Sequence, residues 1–107
     1  MTELKPQTLP ALLAIASQHN AIVVDFYANW CGPCKKIAPY VEKKCKENGV
    51  VLVKVDVDVN GDAATKYGVS AMPTFSVLDR KGDVILTKVG GSEVVVNDIV
   101  AKAVSLK

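Results

Sequence analysis

The spacing of apolar and polar residues along the chain predicts alternating helices and strands. Apolar residues repeat every three to four positions after Thr8, Lys35 and Ser92, which is the period of an amphipathic helix. We expect the first of these helices to end near Asn20. Runs rich in β-branched residues predict strands at positions 21–27, 50–57, 74–78 and 84–89.

The order of these elements predicts an α/β fold with a central mixed β-sheet of four to five strands, flanked by about four helices. A polar turn at 79–83 joins the last two strands as an antiparallel hairpin. A short helix is expected from Asn60 to Tyr67, and residues around Leu4 can add an edge strand. The last helix is expected to face the core with Val96, Ile99, Val100, Ala103 and Val104. The length predicts one domain, 1–107.

Two cysteines, Cys31 and Cys34, stand where the first strand ends and the second helix begins. The N-terminal end of a helix has unpaired N–H groups and the positive end of the dipole, and both stabilise an anion. We therefore expect Cys31 to form a nucleophilic thiolate with a lowered pKa. Cys34, three residues on, is close enough to close a disulfide ring. Pro33 suits the first helical turn, and Gly32 keeps the approach to the sulfur open.

The segment Trp30-Cys31-Gly32-Pro33-Cys34, with Asp25-Phe26 before it, resembles the active-site signature of the thioredoxin family. Other landmarks of that family follow in the expected order, and the likeness covers nearly the whole chain. These landmarks are Lys54, Asp58, Lys66-Tyr67-Gly68-Val69, Met72-Pro73-Thr74-Phe75 and Val89-Gly90. The resemblance implies a thioredoxin fold and a protein-disulfide reductase with Cys31 as nucleophile and Cys34 as resolving cysteine. The Gly-Pro pair resembles the reducing members.

Asp25 lies in a strand that is otherwise apolar, so its carboxyl group is expected to be buried. Burial disfavours the charged form of a carboxyl group and raises its pKa. One interpretation is a structural ion pair with Lys54 in the next strand. The resemblance implies instead that Asp25 transfers protons to and from Cys34, with Lys54 nearby as part of the catalytic group.

The resemblance also implies a substrate-binding surface around the two cysteines. Its residues would be Trp30, Gly32, Pro33, Met72, Pro73 and Gly90. Pro73 could be an ordinary trans residue at a strand start, but in the thioredoxin pattern it is cis and faces the dithiol. Gly90-Gly91 would let a substrate backbone approach, although a plain connector is an alternative interpretation. Tyr27 departs from the family pattern, since most thioredoxins have tryptophan there.

No metal or bound cofactor is expected. The segment 56–61 copies the start of an EF-hand loop, but the twelfth position is Tyr67 rather than the required glutamate. One Cys-x-x-C pair supplies only two zinc ligands. Cys45 shares the apolar stripe of the second helix with Val41, so we expect a buried core residue, with a regulatory or dimerising role as the alternative.

The net charge, the N-terminal sequence and the number of cysteines indicate which partners and which compartment to expect. A net charge of +2 with scattered lysines gives no reason to expect nucleic-acid binding. The sequence predicts no signal peptide and no membrane span, and its odd number of cysteines argues against a secreted disulfide framework. We expect a cytoplasmic monomer that carries electrons to disulfide-containing proteins and contributes to redox homeostasis. The resemblance implies recycling by an NADPH-dependent thioredoxin reductase.

Two other functions fit the same motif. The protein could act as a redox-dependent binding partner without turnover, or as a thiol oxidase or isomerase in an oxidising compartment. The Gly-Pro pair and the expected lack of a signal peptide argue against the second of these.

Overall fold

The structure is a computed structural model that describes residues 4–107 and contains four helices and four strands in that range. In chain order the elements are α1 (Leu9–Ala16), β1 (Ile22–Tyr27), α2 (Gly32–Glu47), β2 (Leu52–Asp56), α3 (Gly61–Lys66), β3 (Thr74–Leu78), β4 (Val84–Val89) and α4 (Glu93–Ser105). The predicted α/β order is confirmed.

The four strands form one mixed sheet in the order β2-β1-β3-β4. β1 and β2 are parallel, whereas the pairs β1–β3 and β3–β4 are antiparallel, as predicted for the hairpin. The parallel register places Asp25 opposite Lys54 and Tyr27 opposite Asp56. The central strand β1 therefore delivers the residues before the cysteines to one end of the sheet.

The sheet has four strands in the described part of the chain. Leu4 forms a single parallel bridge with Val53, and the Lys54 N–H donates to the Leu4 carbonyl over 2.7 Å. One bridge ties the N-terminal segment to the sheet edge without making a fifth strand. The neighbours of Leu4 at positions 1–3 lie outside the described residues.

The first helix begins as predicted and ends earlier than predicted. The Thr8 side chain caps it by accepting a hydrogen bond from the Ala11 N–H over 3.2 Å. The helix ends at Ala16 rather than near Asn20, because the amides of Gln18 and His19 bond three residues back and tighten the chain into a turn. Its last fully buried residue is also Ala16, so the apolar face stops there.

The two faces of the sheet are covered by two separate apolar clusters. One cluster joins Val23 of β1 and Phe75 of β3 to helices α2 and α4. The other joins Ile22, Val24 and Phe26 to α1 and α3. Because successive side chains of a strand point to opposite faces, Asp25 lies on the α2 face.

The prediction of which residues of the last helix face the core is wrong for one residue. Val96, Ile99, Val100 and Ala103 are buried as predicted, whereas Val104 is 38% exposed. Val104 follows Val96 by eight residues, a rotation of about 80° around the helix, which carries it off the buried face. It lines a groove between α2 and α4 instead.

The segment that copies an EF-hand loop has a different structure. It contains the end of β2 and the start of the short helix α3, whose N-cap is Asn60. The Asn60 side chain accepts a hydrogen bond from the Ala63 N–H and donates one to the Pro6 carbonyl, so it caps α3 and binds the N-terminal segment. Among residues 4–107, no three histidine, cysteine or acidic side chains are grouped closely enough to hold a metal ion.

Candidate active site

The two cysteines of the motif lie at the N-terminus of α2 and are joined in a disulfide. Cys31 is the N-cap residue, and its sulfur accepts a hydrogen bond from the Cys34 N–H over 3.2 Å. Their Cα atoms are 5.3 Å apart, and each residue is 5% exposed. The helix terminus thus provides a donor for the sulfur of Cys31, which also favours the thiolate in the reduced protein.

Gly32, one of the two residues between the cysteines, adds no side chain at the disulfide. Gly32 and Pro33 form the first two helical positions, where the missing N–H of proline removes no helix hydrogen bond. A Cβ atom at Gly32 would meet no atom within 4 Å. A partner can therefore approach the sulfurs over this surface without a steric barrier from Gly32.

Trp30 stands beside the disulfide and is 69% exposed. Its indole Nε1 donates a hydrogen bond to the Asp58 carboxylate over 3.0 Å, which fixes the ring orientation. The amide of Asp58 is itself bonded to the side chain of Asp56 at the end of β2. The family landmark Asp58 therefore holds an exposed aromatic side chain in place.

Two further segments lie beside the cysteines: Met72–Pro73, which precedes β3, and Gly90–Gly91, which follows β4. The Met72–Pro73 peptide bond is cis, as the family resemblance implied, and Met72 packs against the cluster that contains both cysteines. The Gly90 N–H donates to the Pro73 carbonyl over 3.0 Å, at a φ of 123° that only glycine adopts freely. A Cβ atom on Gly91 would lie 3.4 Å from Pro33, so the segment after β4 approaches the start of α2 closely.

A pocket of about 220 Å³ lies next to Cys34. Its wall includes Asp25, which is 3% exposed, and Lys54, its register partner on β2. Tyr27 and Lys35 also line it. The pocket thus brings together a buried carboxylate, one active-site cysteine and three lysines, and it has room for water molecules.

Sequence reasoning missed two features of this site. Tyr27 was noted only as a departure from the family pattern, although it lies two residues after Asp25 and so shares its sheet face. That period-2 spacing could have identified it. Lys5 also lines the pocket, but no local pattern indicates this, because it depends on how the N-terminal segment crosses the sheet edge.

The third cysteine, Cys45, is fully buried on α2, as predicted. Burial raises the pKa of the Cys45 thiol to about 12, and the negative charge of Asp25 adds to the increase. A thiol with this pKa is almost entirely protonated at neutral pH. Cys45 therefore lacks the thiolate on which nucleophilic chemistry depends.

We expect Cys45 to resist alkylation in the folded, oxidised protein. At pH 8 its thiolate fraction is about 10⁻⁴, so iodoacetamide should react roughly 1,000-fold more slowly than with an exposed cysteine. Raising the pH by one unit should increase the rate about tenfold, because ionisation is incomplete below the pKa. Mass spectrometry measures the labelling, and protein unfolded in guanidinium is the control. Rapid labelling of the folded protein at pH 8 would contradict the prediction.

Comparison with known proteins identifies relatives along most of the chain. The family profile described as Thioredoxin matches residues 11–102. Thioredoxin 1 of Plasmodium falciparum is 38% identical over 90 residues, which are 83% of this chain and 86% of that protein. The mitochondrial thioredoxin of mouse is 45% identical over 78 residues, 71% of this chain and 46% of that protein. Thioredoxin of Fasciola hepatica has a solved structure with a TM-score of 0.87 at 39% identity, covering 94% of this chain and 98% of that one.

The sequence match, the mixed sheet with four helices and the Cys-x-x-Cys disulfide agree with one another. The relatives imply disulfide-containing substrates and a reductase that restores the dithiol. On this evidence the chain belongs to the thioredoxin family and is a thiol–disulfide oxidoreductase with protein-disulfide reductase activity.

Proposed function

We propose that this chain is a cytoplasmic, single-domain thioredoxin (residues 1–107) in which Cys31 is the nucleophile and Cys34 the resolving cysteine. The observation that carries the assignment is the position of Cys31 as N-cap of α2, where the Cys34 N–H points at its sulfur. Cys34 lies inside the first turn and lines the pocket that contains Asp25. Thiolate stabilisation thus favours Cys31, and access to a proton acceptor favours Cys34.

The reaction begins in the reduced protein. The Cys31 thiolate attacks one sulfur of a substrate disulfide, forms a mixed disulfide and releases the other substrate sulfur as a thiolate. Cys34 then gives its proton to the Asp25 carboxylate, directly or through a water, and attacks the sulfur of Cys31. This second exchange forms the Cys31–Cys34 disulfide and releases the remaining substrate thiolate, so two electrons pass to the substrate.

Asp25 and Lys54 act together in the second exchange. A carboxylate that is 3% exposed can accept a proton at neutral pH more readily than an exposed one, because burial favours its neutral form. Lys54 is its register partner and supplies a positive charge beside the same pocket. This charge opposes the effect of burial and keeps Asp25 available as a carboxylate when Cys34 has to lose its proton.

Substrates bind on the surface around the disulfide. This surface consists of Trp30, Gly32, Pro33, Met72, Pro73 and Gly90. An extended substrate segment would run beside the backbone of Met72 and pair with it, a form of strand addition. The exposed Trp30 ring supplies apolar contact area, and Gly32 adds no side chain between a substrate and the sulfurs.

The electron donor is an NADPH-dependent thioredoxin reductase, and this chain needs no bound cofactor because its cysteines carry the electrons. Its net charge of +2 favours neither a nucleic-acid nor a membrane surface as partner. No helix among residues 4–107 is long and apolar enough to cross a membrane. Since one relative is a mitochondrial thioredoxin, fractionation of cells that express the chain would test the cytoplasmic assignment.

Replacing Cys34 with serine tests the assigned roles. We expect Cys34→Ser to form a stable mixed disulfide with insulin through Cys31, because the residue that resolves this intermediate is absent. Non-reducing electrophoresis detects the adduct, and dithiothreitol should release it. Cys31→Ser is the matched control and should trap nothing. An adduct that forms in Cys31→Ser but not in Cys34→Ser would reverse the two roles. Binding of insulin without a covalent adduct in either variant would favour the binding-partner function.

A further inference from the structure

The aromatic ring of Tyr27 lies against the side chain that supplies the positive charge of the pocket. The Lys54 Nζ atom is 5.0 Å from the ring centroid, within the range of a cation–π contact. Tyr27 also packs against the cluster formed by Cys31 and Cys34. Tyr27 therefore packs beside the dithiol, and its ring contacts the ammonium group.

Tyr27 and Lys54 form part of a wall between two pockets. The pocket of about 220 Å³ contains Asp25 and Cys34, whereas a neighbouring pocket of about 110 Å³ contains Asp56. Tyr27 and Lys54 line both pockets. Lys54 thus lines one pocket with Asp25 and the other with Asp56, and its side chain has enough rotatable bonds to turn toward either pocket or toward solvent.

We propose that Tyr27 is a positioning residue, whose ring holds the Lys54 ammonium at the wall of the pocket that Asp25 and Cys34 share. The inference rests on the proposed roles of Asp25 and Lys54. Without the ring, Lys54 gains access to solvent and to the Asp56 side, and the mean positive charge near Asp25 decreases. An aromatic residue at position 27 then affects the resolving step without touching substrate.

The direction of the effect follows from the charges around Asp25. The charged and titratable side chains that face it are Lys5 of the N-terminal segment, Tyr27 of β1, Lys54 of β2, and Cys34, Lys35 and Cys45 of α2. An ammonium group favours the carboxylate form. Moving the Lys54 ammonium away therefore makes Asp25 take up its proton at a higher pH. The acidic limb of the pH profile, where the rate of the resolving step falls because Asp25 is protonated, then moves to higher pH as well.

Two substitutions separate the ring from its hydroxyl group. In Tyr27→Leu we expect the titration midpoint of the Asp25 carboxyl to rise by about half a pH unit, the size expected when a partly exposed charge contact weakens. In Tyr27→Phe, which keeps the ring face, the midpoint should stay at the wild-type value. Carbon-13 NMR of the Asp25 carboxyl in the oxidised protein measures the midpoint without turnover. Tyr27→Met serves as a second non-aromatic variant if Tyr27→Leu does not fold.

Two controls test whether the ring acts through Lys54. In a Lys54→Met background, Tyr27→Leu should cause no further shift, since the two residues then share no interaction. Tyr40→Leu removes a comparable cation–π contact, with Lys44 Nζ 5.7 Å from the ring, away from the pocket and should leave the midpoint unchanged. An equal shift in Tyr27→Phe and Tyr27→Leu would assign the effect to the hydroxyl group and overturn the proposal.

Asp25→Asn distinguishes a failure of this inference from a failure of the proposed function. The pH profile of mixed-disulfide resolution, measured in single turnovers, should lose its acidic limb in Asp25→Asn. If the limb persists there, the proton-transfer role of Asp25 is wrong. If the limb disappears there but the Asp25 midpoint does not move in Tyr27→Leu, Asp25 keeps its role and the positioning role of Tyr27 is wrong.

Discussion

Replacing Cys31 with serine is expected to abolish the reduction of insulin disulfides by this protein. Serine keeps the size and the N-cap hydrogen bond of the residue, but its hydroxyl group does not ionise near neutral pH and cannot form the mixed disulfide. The rate should fall to that of dithiothreitol alone. The turbidity of precipitating insulin chains measures it, with dithiothreitol as the electron source.

The third cysteine provides the matched control for this experiment. Cys45→Ala also removes one thiol, but from a fully buried position on α2 outside the candidate active site, so turnover should be retained. Turnover that survives in Cys31→Ser would place the chemistry on another residue. If the folded wild-type protein, with two titratable thiols at the site, gave no acceleration over dithiothreitol, general protein-disulfide reduction would not be its activity.

The geometry of the cysteine pair could be predicted from sequence because it is local. An apolar strand, a proline in the first helical turn and two cysteines three residues apart determine where α2 begins. Once the helix begins after Cys31, the proximity of Cys34 and the donor at its amide follow from helix geometry. The burial of Asp25 follows in the same way from the apolar run around it.

The loop beside the cysteines could not be predicted from local pattern. The sequence around Pro73 fits either peptide isomer, and only the family resemblance favoured the cis form found in the structure. The approach of Gly91 to Pro33 joins residues almost 60 positions apart. Such contacts depend on how helices and strands pack together, which propensity and spacing do not encode.

Element ends were also harder to predict than element types. The second strand was expected at 50–57 and is Leu52–Asp56, and the first helix stops at Ala16. Apolar residues continue past both ends of the second strand, whereas the residues after Ala16 are polar and the first helix ends where its hydrogen bonding changes. Val50 remains buried outside the strand, with its N–H bonded to the Cys45 carbonyl. Hydrophobicity reports burial, whereas the end of an element depends on backbone hydrogen bonds.

Consecutive residues of β1 belong alternately to the candidate active site and to the hydrophobic core. Asp25 and Tyr27 line the pocket beside Cys34, whereas Phe26 belongs to the cluster on the opposite face, among side chains of α1 and α3. A buried carboxyl group next to the dithiol lowers stability when it is ionised. Apolar residues on the other face of the same strand offset this effect.

Phe26→Ala is therefore expected to lower the free energy of unfolding by about 3–5 kcal/mol, the usual range for truncating an enclosed phenylalanine. Phe26 is fully buried, and its ring centroid lies 6.0 Å from that of Tyr67, so the substitution leaves a cavity between β1 and α3. Urea denaturation of the oxidised protein measures the change. Val94→Ala, at a position that is 68% exposed, is the control and should change the value by less than about 0.5 kcal/mol.

The same variant tests whether stability and chemistry occupy opposite faces of β1. A domain of this size has a total unfolding free energy of about 5–15 kcal/mol, so folded Phe26→Ala protein should be obtainable at low temperature. Because Phe26 faces away from the pocket, its insulin-reduction rate per folded molecule should stay within about twofold of wild type. A loss of less than about 1 kcal/mol would mean that the cluster collapses to fill the cavity. A large loss of rate in the folded variant would mean that the cluster on the α1 and α3 face positions Asp25, so that the two faces are coupled through the strand.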